Sequence, residues 1–191
     1  MSVFKQIKNN CVKYSIIFND FKMIYLCQNF LVMSFNIRKG KEEDVQAVHG
    51  LITELAAFEK EPDAVEITPE DLLKDGFSEK PRFGLFVAEE ENNIIGIALF
   101  YERYSTWKGK TIHLEDLIVT QSKRKLGVGK ALYGAVMQYA FDNNYNRVAW
   151  EVLDWNQNAI DFYQSSGATY LNDWSVVQMN KENLAKFIKN N

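Results

Sequence analysis

The stretch of this sequence best suited to binding a ligand is Arg124-Lys125-Leu126-Gly127-Val128-Gly129. Its glycines open what reads as a helix, after an apolar run that reads as a strand. Glycine lets the backbone take φ > 0 and come close to a ligand. A first helical turn offers unpaired N–H groups and the positive end of the helix dipole. Lys123, Arg124, Lys125 and Lys130 add positive charge around it. Together these suit an anion, a pyrophosphate above all. An ordinary basic surface turn has the same composition, so the turn alone leaves both readings open. Other chemistries lack their residues. No G-x-G-x-x-G follows the first strand and no Walker pattern occurs, so the common nucleotide folds are not indicated. His49 and His113 lack metal-ligand spacing; both read as packing or hydrogen-bonding residues, and no metal is expected. No Cys or Ser-His-Asp arrangement points to an acyl-enzyme.

The elements that must position this turn follow from periodicity. Residues 35–38 read as a strand. Residues 42–58 carry apolar side chains at Val45, Val48, Leu51, Ile52, Leu55 and Ala56, the spacing of an amphipathic helix. An acidic loop over 59–71 ends in Thr68-Pro69-Glu70-Asp71, a helix start with a cap, an early Pro and acids. That short helix ends near Gly76. Strands over 83–88, 94–104 and 111–120 form an antiparallel meander. After the basic turn, Ala131, Leu132, Ala135, Val136, Tyr139 and Ala140 mark one helical face. A strand over 147–153, a helix over 156–166 closed by Gly167, strand material over 169–179 and a helix over 181–189 complete the chain. The order β-α-α-β-β-β-α-β-α-β predicts an α+β (mixed α/β) fold: one mixed, twisted sheet with helices on both faces.

Arg-x-x-Gly-x-Gly opening a helix, after Leu114-Glu115-Asp116-Leu117-Ile118-Val119, resembles motif A of the GNAT acetyltransferases. Further stretches are similar to one branch of that family, the diamine (spermidine/spermine) N-acetyltransferases, and to their thialysine-acetylating relatives most of all. They are Glu54-Leu55-Ala56-Ala57-Phe58-Glu59, Asp75-Gly76-Phe77, Tyr104-Ser105-Thr106-Trp107-Lys108-Gly109, Leu153-Asp154-Trp155-Asn156 and Phe162-Tyr163-x-x-x-Gly167-Ala168. The resemblance runs from about residue 35 to the C-terminus. It implies the GNAT acyl-CoA N-acyltransferase fold, with acetyl-CoA lying in a splay between the strands over 111–120 and 147–153. Leu117, Ile118 and Val119 would flank the pantetheine arm, and the N–H groups of Leu117 and Val119 would polarise the thioester carbonyl. Arg124, Lys125, Leu126, Gly127, Val128, Gly129 and Lys130 would receive the pyrophosphate, and Asn156 would contact the CoA arm while capping its helix. The family often has Gly where Lys125 stands.

Transfer needs an uncharged amine. A lysine-like ammonium has a pKa of about 10.4, so about one molecule in a thousand is neutral at pH 7, a penalty near ~4 kcal/mol. A base must therefore accept its proton. The resemblance gives that role to Glu115, and gives Tyr163 the role of general acid toward the departing thiolate; on residue type alone these are a solvated carboxylate and a core tyrosine. Glu59, Asp116 and Glu151 match acids lining the family's amine site, with Phe58, Trp107 and Trp150 as apolar or cation–π walls. The acceptor is accordingly a small cationic amine. Ser105 stands where polyamine acetylators carry an acid, which favours a lysine analogue or a short diamine over spermine. A GNAT enzyme acting on a protein N-terminus, a protein lysine or an aminoglycoside, and a non-catalytic acyl-CoA-binding module, are the competing readings. The resemblance also implies a homodimer.

With 191 residues, 47% hydrophobic and 25% charged, the chain is long enough to bury a substantial core without staples. A net charge of −3 disfavours nucleic acid as a partner. Two cysteines, Cys11 and Cys27, make no disulfide framework, which points to a reducing cytoplasm. Residues 1–32 stand apart. Lys5, Lys8, Lys13 and Lys22 face Asp20 alone, and Asp20 and Lys22 interrupt any membrane span. The segment reads as an amphipathic accessory helix, as a membrane-surface or targeting element, or as sequence upstream of a start at Met33. Residues 33–191 read as a single acetyltransferase domain.

Overall fold

In the computed structural model, which describes residues 3–8, 11–16, 23–26 and 35–190, the chain divides into two units, Met1–Glu151 and Val152–Asn191. The first unit begins with β1 (Val3–Lys8), β2 (Cys11–Ile16) and β3 (Met23–Leu26), an antiparallel three-stranded sheet. These strands correct the helical reading of the N-terminal segment. Its sequence shows the reason: Val12, Tyr14 and Ile16 alternate with Cys11, Lys13 and Ser15, a period of two. Cys27 and Met33 lie outside the described residues.

The rest of the first unit runs β4 (Asn36–Lys39), a short 3-10 turn (Glu42–Asp44), α1 (Val45–Phe58), α2 (Pro69–Gly76), β5 (Gly84–Glu90), β6 (Asn93–Ser105), β7 (Gly109–Val119), α3 (Val128–Asp142) and β8 (Val148–Ala149). The Thr68 hydroxyl accepts from the Asp71 N–H at 3.2 Å, and the Asp71 carboxylate accepts from the Thr68 N–H at 3.0 Å, so α2 starts on a reciprocal cap. The five strands lie in the order β4-β5-β6-β7-β8. The first four are antiparallel and β8 joins β7 in parallel, giving the mixed sheet expected.

Alternation along β5 and β6 gives each face its own helix partners. Leu85, Val87, Ile97 and Leu99 pack with Val45, Val48 and Leu51 of α1 and Leu72 of α2. On the opposite face Phe86 stacks on Phe100 with ring centroids 5.4 Å apart, and both meet Tyr139 of α3. Leu132 and Val136 of α3 are fully buried there. Gly96 allows that approach, because a Cβ on it would meet Ile118 O at 2.8 Å and Leu132 at 3.1 Å.

The second unit contains α4 (Gln157–Ser165) and α5 (Lys181–Lys189). Asn156 and Asn180 cap them, each accepting from a first-turn N–H. Two strand expectations are corrected. Residues 169–179 carry no strand, since a strand exists only through a partner and none is paired here among the described residues. β8 covers two residues rather than 147–153. Asn146 and Arg147 pin its start to β7: the Asn146 side chain donates to Lys108 O at 2.6 Å, and Arg147 O accepts from the Ile112 N–H at 2.9 Å. Beyond Ala149 the Trp150 ring turns edge-on to Tyr133 of α3, at 5.6 Å and 86°.

Candidate active site

The short β8 shapes the centre of the first unit. β7 pairs with β8 only at Ile112↔Val148 and His113↔Ala149, yet it pairs with β6 as far as Val119. From Leu114 onward its other edge is therefore open. The Thr120 N–H donates to Ile95 O at 2.9 Å, toward β6. Strand alternation then turns the Ile118 N–H to β6 as well, and the Leu117 and Val119 N–H groups to the open edge. Two backbone donors thus lie on an edge of β7 left unpaired beyond the short parallel β8.

Glu115 stands at the start of this edge, on a β-bulge. Leu99 pairs with Asp116 and Phe100 with Leu114, which leaves Glu115 as the extra residue of β7. Its side chain is half-exposed, with Oε2 3.4 Å from Nε2 of the buried His113. Tyr101, opposite His113 in β6, sets its ring against the imidazole at a tilt of 34° with centroids 5.2 Å apart, and feels the Glu115 charge. Burial, and then the charge of Glu115, raise the Tyr101 phenol above its ordinary value. Next to it, burial first, then Glu115 and Glu59, push Asp116 up to about 6. Burial raises Glu59 as well, at the end of α1. Two carboxyls held above the ordinary carboxylate range, with the Glu115 charge beside Asp116, form a site that a cation relieves.

After β7 the chain is fastened to α1. The Gln121 N–H donates to Glu54 at 2.8 Å, and Arg124 Nε donates to Val119 O at 2.9 Å. The Arg124 guanidinium lies 5.0 Å over the Phe58 ring and 3.8 Å from Glu54. Lys123 pairs with Glu90. Two of the four cations around the turn are thus engaged with protein. Lys125 and Lys130 are exposed and have no carboxylate partner among the described residues. Lys125 holds φ 65 and Gly127 φ 87, both left-handed. Gly127 takes that conformation freely, whereas at Lys125 it costs about 1–2 kcal/mol. Gly127 precedes α3 and supplies no side-chain cap, so the first-turn N–H groups of α3 face outward unsatisfied by any capping side chain. The turn keeps its backbone cradle where the family often has Gly, at the expense of local strain.

Of the residues singled out in the sequence, the first unit brings Glu115, Asp116, Leu117, Ile118 and Val119 to the open end of β7. Phe58 and Glu59 lie close by at the end of α1, through Arg124 and through the coupling of Glu59 to Asp116. Trp150 and Glu151 follow β8 directly, and Glu151 acts on Tyr101. Trp107 lies elsewhere, at the tip of the β6–β7 hairpin and 80% exposed, about 20 Å along β7 from Glu115 by strand rise. Asn156 and Tyr163 belong to the second unit, Asn156 as the cap of α4 and Tyr163 beside Phe162 at a ring separation of 5.3 Å. Tyr101 and Glu54 were not among the expected site residues. The hairpin register gives a signal for Tyr101, because counting back from Ser105↔Gly109 sets it opposite His113. Among the described residues no cluster of His, Cys, Asp and Glu is arranged to hold a metal ion, and no helix is long and apolar enough to cross a membrane.

Comparison with known proteins gives four findings. The sequence pattern of the acetyltransferase (GNAT) family matches residues 50–168. Thialysine N-epsilon-acetyltransferase of Bos taurus is 39% identical over 145 residues, which is 72% of this chain and 85% of that protein. Spermidine/spermine N(1)-acetyltransferase-like protein 1 of Homo sapiens is 36% identical over 160 residues, 78% of this chain but only 23% of its own length. Among solved structures, an integron cassette protein from the mobile metagenome of V. cholerae superposes with a TM-score of 0.68 at 24% identity, over 82% of this chain and 99% of that one.

Proposed function

The chain belongs to the acetyltransferase (GNAT) family, and from that premise we propose that it transfers the acetyl group of acetyl-CoA to a primary amine of a small cationic acceptor, directly and in a ternary complex. The observation that carries this reading is the open edge of β7, where the Leu117 and Val119 N–H groups stand beside Glu115. The residues present fit acetyl-CoA. An extended amide-bearing arm can hydrogen-bond to the open strand edge, and a pyrophosphate suits the uncapped start of α3 with Lys125 and Lys130 beside it.

Acetyl-CoA supplies an acetyl group on a good leaving thiol. Glu115 accepts the proton of the bound ammonium and passes it to solvent from its exposed half. The amine lone pair then forms the N–C bond while the C–S bond breaks. The N–H groups of Leu117 and Val119 hold the carbonyl oxygen as charge grows on it, and a donor of this kind is worth about 3–4 kcal/mol. Tyr163 gives the sulfur its proton and regains one, through solvent, as the acylated nitrogen loses its second proton to become the amide. Ammonium and thioester thus become amide, free thiol and one released proton. Asp116, Glu59 and Glu151 draw the cationic acceptor in, with Phe58 and Trp150 as apolar walls.

Thialysine, another lysine analogue or a short diamine suits this site better than spermine, because Ser105 carries no charge to hold a distant ammonium. The likeness to the bovine thialysine enzyme supports the same choice. The finer reading includes a homodimer in the cytoplasm without metal. The exposed Tyr104 and Trp107 on the β6–β7 hairpin, apolar surface for a second copy to cover, support the dimer. The test is thiol release from acetyl-CoA with thialysine, lysine, putrescine, spermidine, spermine and a peptide. The highest kcat/KM is expected among the first three. A spermine value well above that for thialysine overturns the small-acceptor assignment, and acetyl-CoA binding without turnover of any amine replaces the enzyme by an acyl-CoA-binding module.

A further inference from the structure

We propose that His113 is the positioning residue for the base: its Nε2–H donates to Oε2 of Glu115 and, with the Tyr101 hydroxyl, fixes the carboxylate so that its remaining lone pairs face the acceptor amine. The inference rests on the assignment of Glu115 as base, made above.

Three features lead to it. The first is the bulge. As the extra residue of β7, Glu115 has no direct partner on β6, and its side chain is half in solvent. A carboxylate so placed samples several rotamers unless other groups hold it. The second is the cross-strand pair. Tyr101↔His113 puts two rings together, tilted by 34° with centroids 5.2 Å apart, with Glu115 in reach of both. The third is the state of the imidazole itself. His113 is 7% exposed and its Nδ1 is buried without a hydrogen-bond partner. An apolar ring at this position would avoid that cost, so the fold gains nothing from Nδ1. The benefit of a histidine lies at its other nitrogen, the one 3.4 Å from Glu115. With no acceptor at Nδ1, the hydrogen is assigned to Nε2, where the carboxylate receives it. The 3.4 Å separation is long for a hydrogen bond, as such contacts often are before substrate closes the site.

The titratable and charged groups around this pair are Tyr101 and Arg103 from β6, Glu115 and Asp116 from β7, Glu59 from the end of α1 and Glu151 after β8. A donor to a carboxylate favours its charged form. Removing that donor frees the carboxylate to leave the productive rotamer, so the loss falls on kcat and spares KM for acetyl-CoA.

The experiment compares His113→Phe, which keeps a ring against Tyr101 but has no donor, with His113→Gln, whose amide keeps one. His113→Phe is expected to lower kcat about tenfold, the loss of one useful hydrogen bond. It should leave KM for acetyl-CoA within about twofold, and Tm unchanged or higher. His113→Gln should recover most of the rate. Long-range 1H–15N spectra of the wild-type ring, which need no variant, should show the Nε2–H tautomer. A wild-type rate in His113→Phe overturns the proposal. So do equal losses in the two variants, or an Nδ1–H tautomer. Glu115→Gln measured alongside separates the two levels. If it keeps the full rate, the base assignment falls; if it is slow while His113→Phe is normal, only the positioning role falls.

Discussion

Glu115→Gln lowers kcat/KM for the amine by about 100- to 1000-fold, the range expected when a general base is removed. Glutamine is close in size and keeps an acceptor oxygen, but it cannot take the ammonium proton. The acidic limb of the pH profile should vanish with it. Affinity for acetyl-CoA should stay within about twofold, because the Leu117 and Val119 donors are backbone groups that the substitution leaves alone. A second, non-kinetic consequence follows from the pairing of charges. Asp116 is pushed up to about 6 by burial and, next, by the Glu115 charge. Removing that charge should lower its titration midpoint toward ordinary carboxylates. Carboxyl 13C shifts of Asp116 read this directly. An unchanged rate and limb remove Glu115 from the mechanism, and an unmoved Asp116 removes the electrostatic coupling.

Tyr163→Phe lowers kcat by about 100-fold and flattens the alkaline limb. A phenol with an ordinary value of about 10 is protonated at neutral pH and can donate to a departing thiolate. Phenylalanine keeps the ring beside Phe162 on α4, so the helix and its Asn156 cap should survive. Stability within about 0.5 kcal/mol, the usual range for a substitution away from core and caps, checks that point. A Tyr163→Phe protein with a wild-type rate leaves the sulfur to take its proton from solvent.

Much of this architecture was legible one residue at a time. Val45, Val48 and Leu51 repeat at helical spacing, and that stripe is what α1 buries against β5 and β6. Thr68, Pro69 and Asp71 announce the start of α2 because capping is local chemistry. Gly127 marks the start of α3 for the same reason, as the left-handed residue before the helix. What escaped depends on partners far along the chain. Residues 169–179 have strand composition, but composition cannot supply a neighbouring strand. β8 reads as 147–153, yet it stops at Ala149, where Trp150 turns to Tyr133 instead of continuing along β7. The bulge at Glu115 arises from a one-residue register slip between β6 and β7 that periodicity does not encode. The ring pair Tyr101–His113 and the bridge from Arg124 to Phe58 likewise join residues through tertiary packing. Arg124 shows the difference most plainly: its type suggests a phosphate ligand, while its guanidinium lies over Phe58 near Glu54.

Coenzyme A is expected to bind along the open edge of β7, and amide 1H–15N spectra during its titration read this binding. The largest shifts should fall on Leu117, Val119 and residues 125–130, growing together to saturation. Saturable binding that moves amides elsewhere and leaves Leu117 and Val119 in place contradicts this placement of the coenzyme.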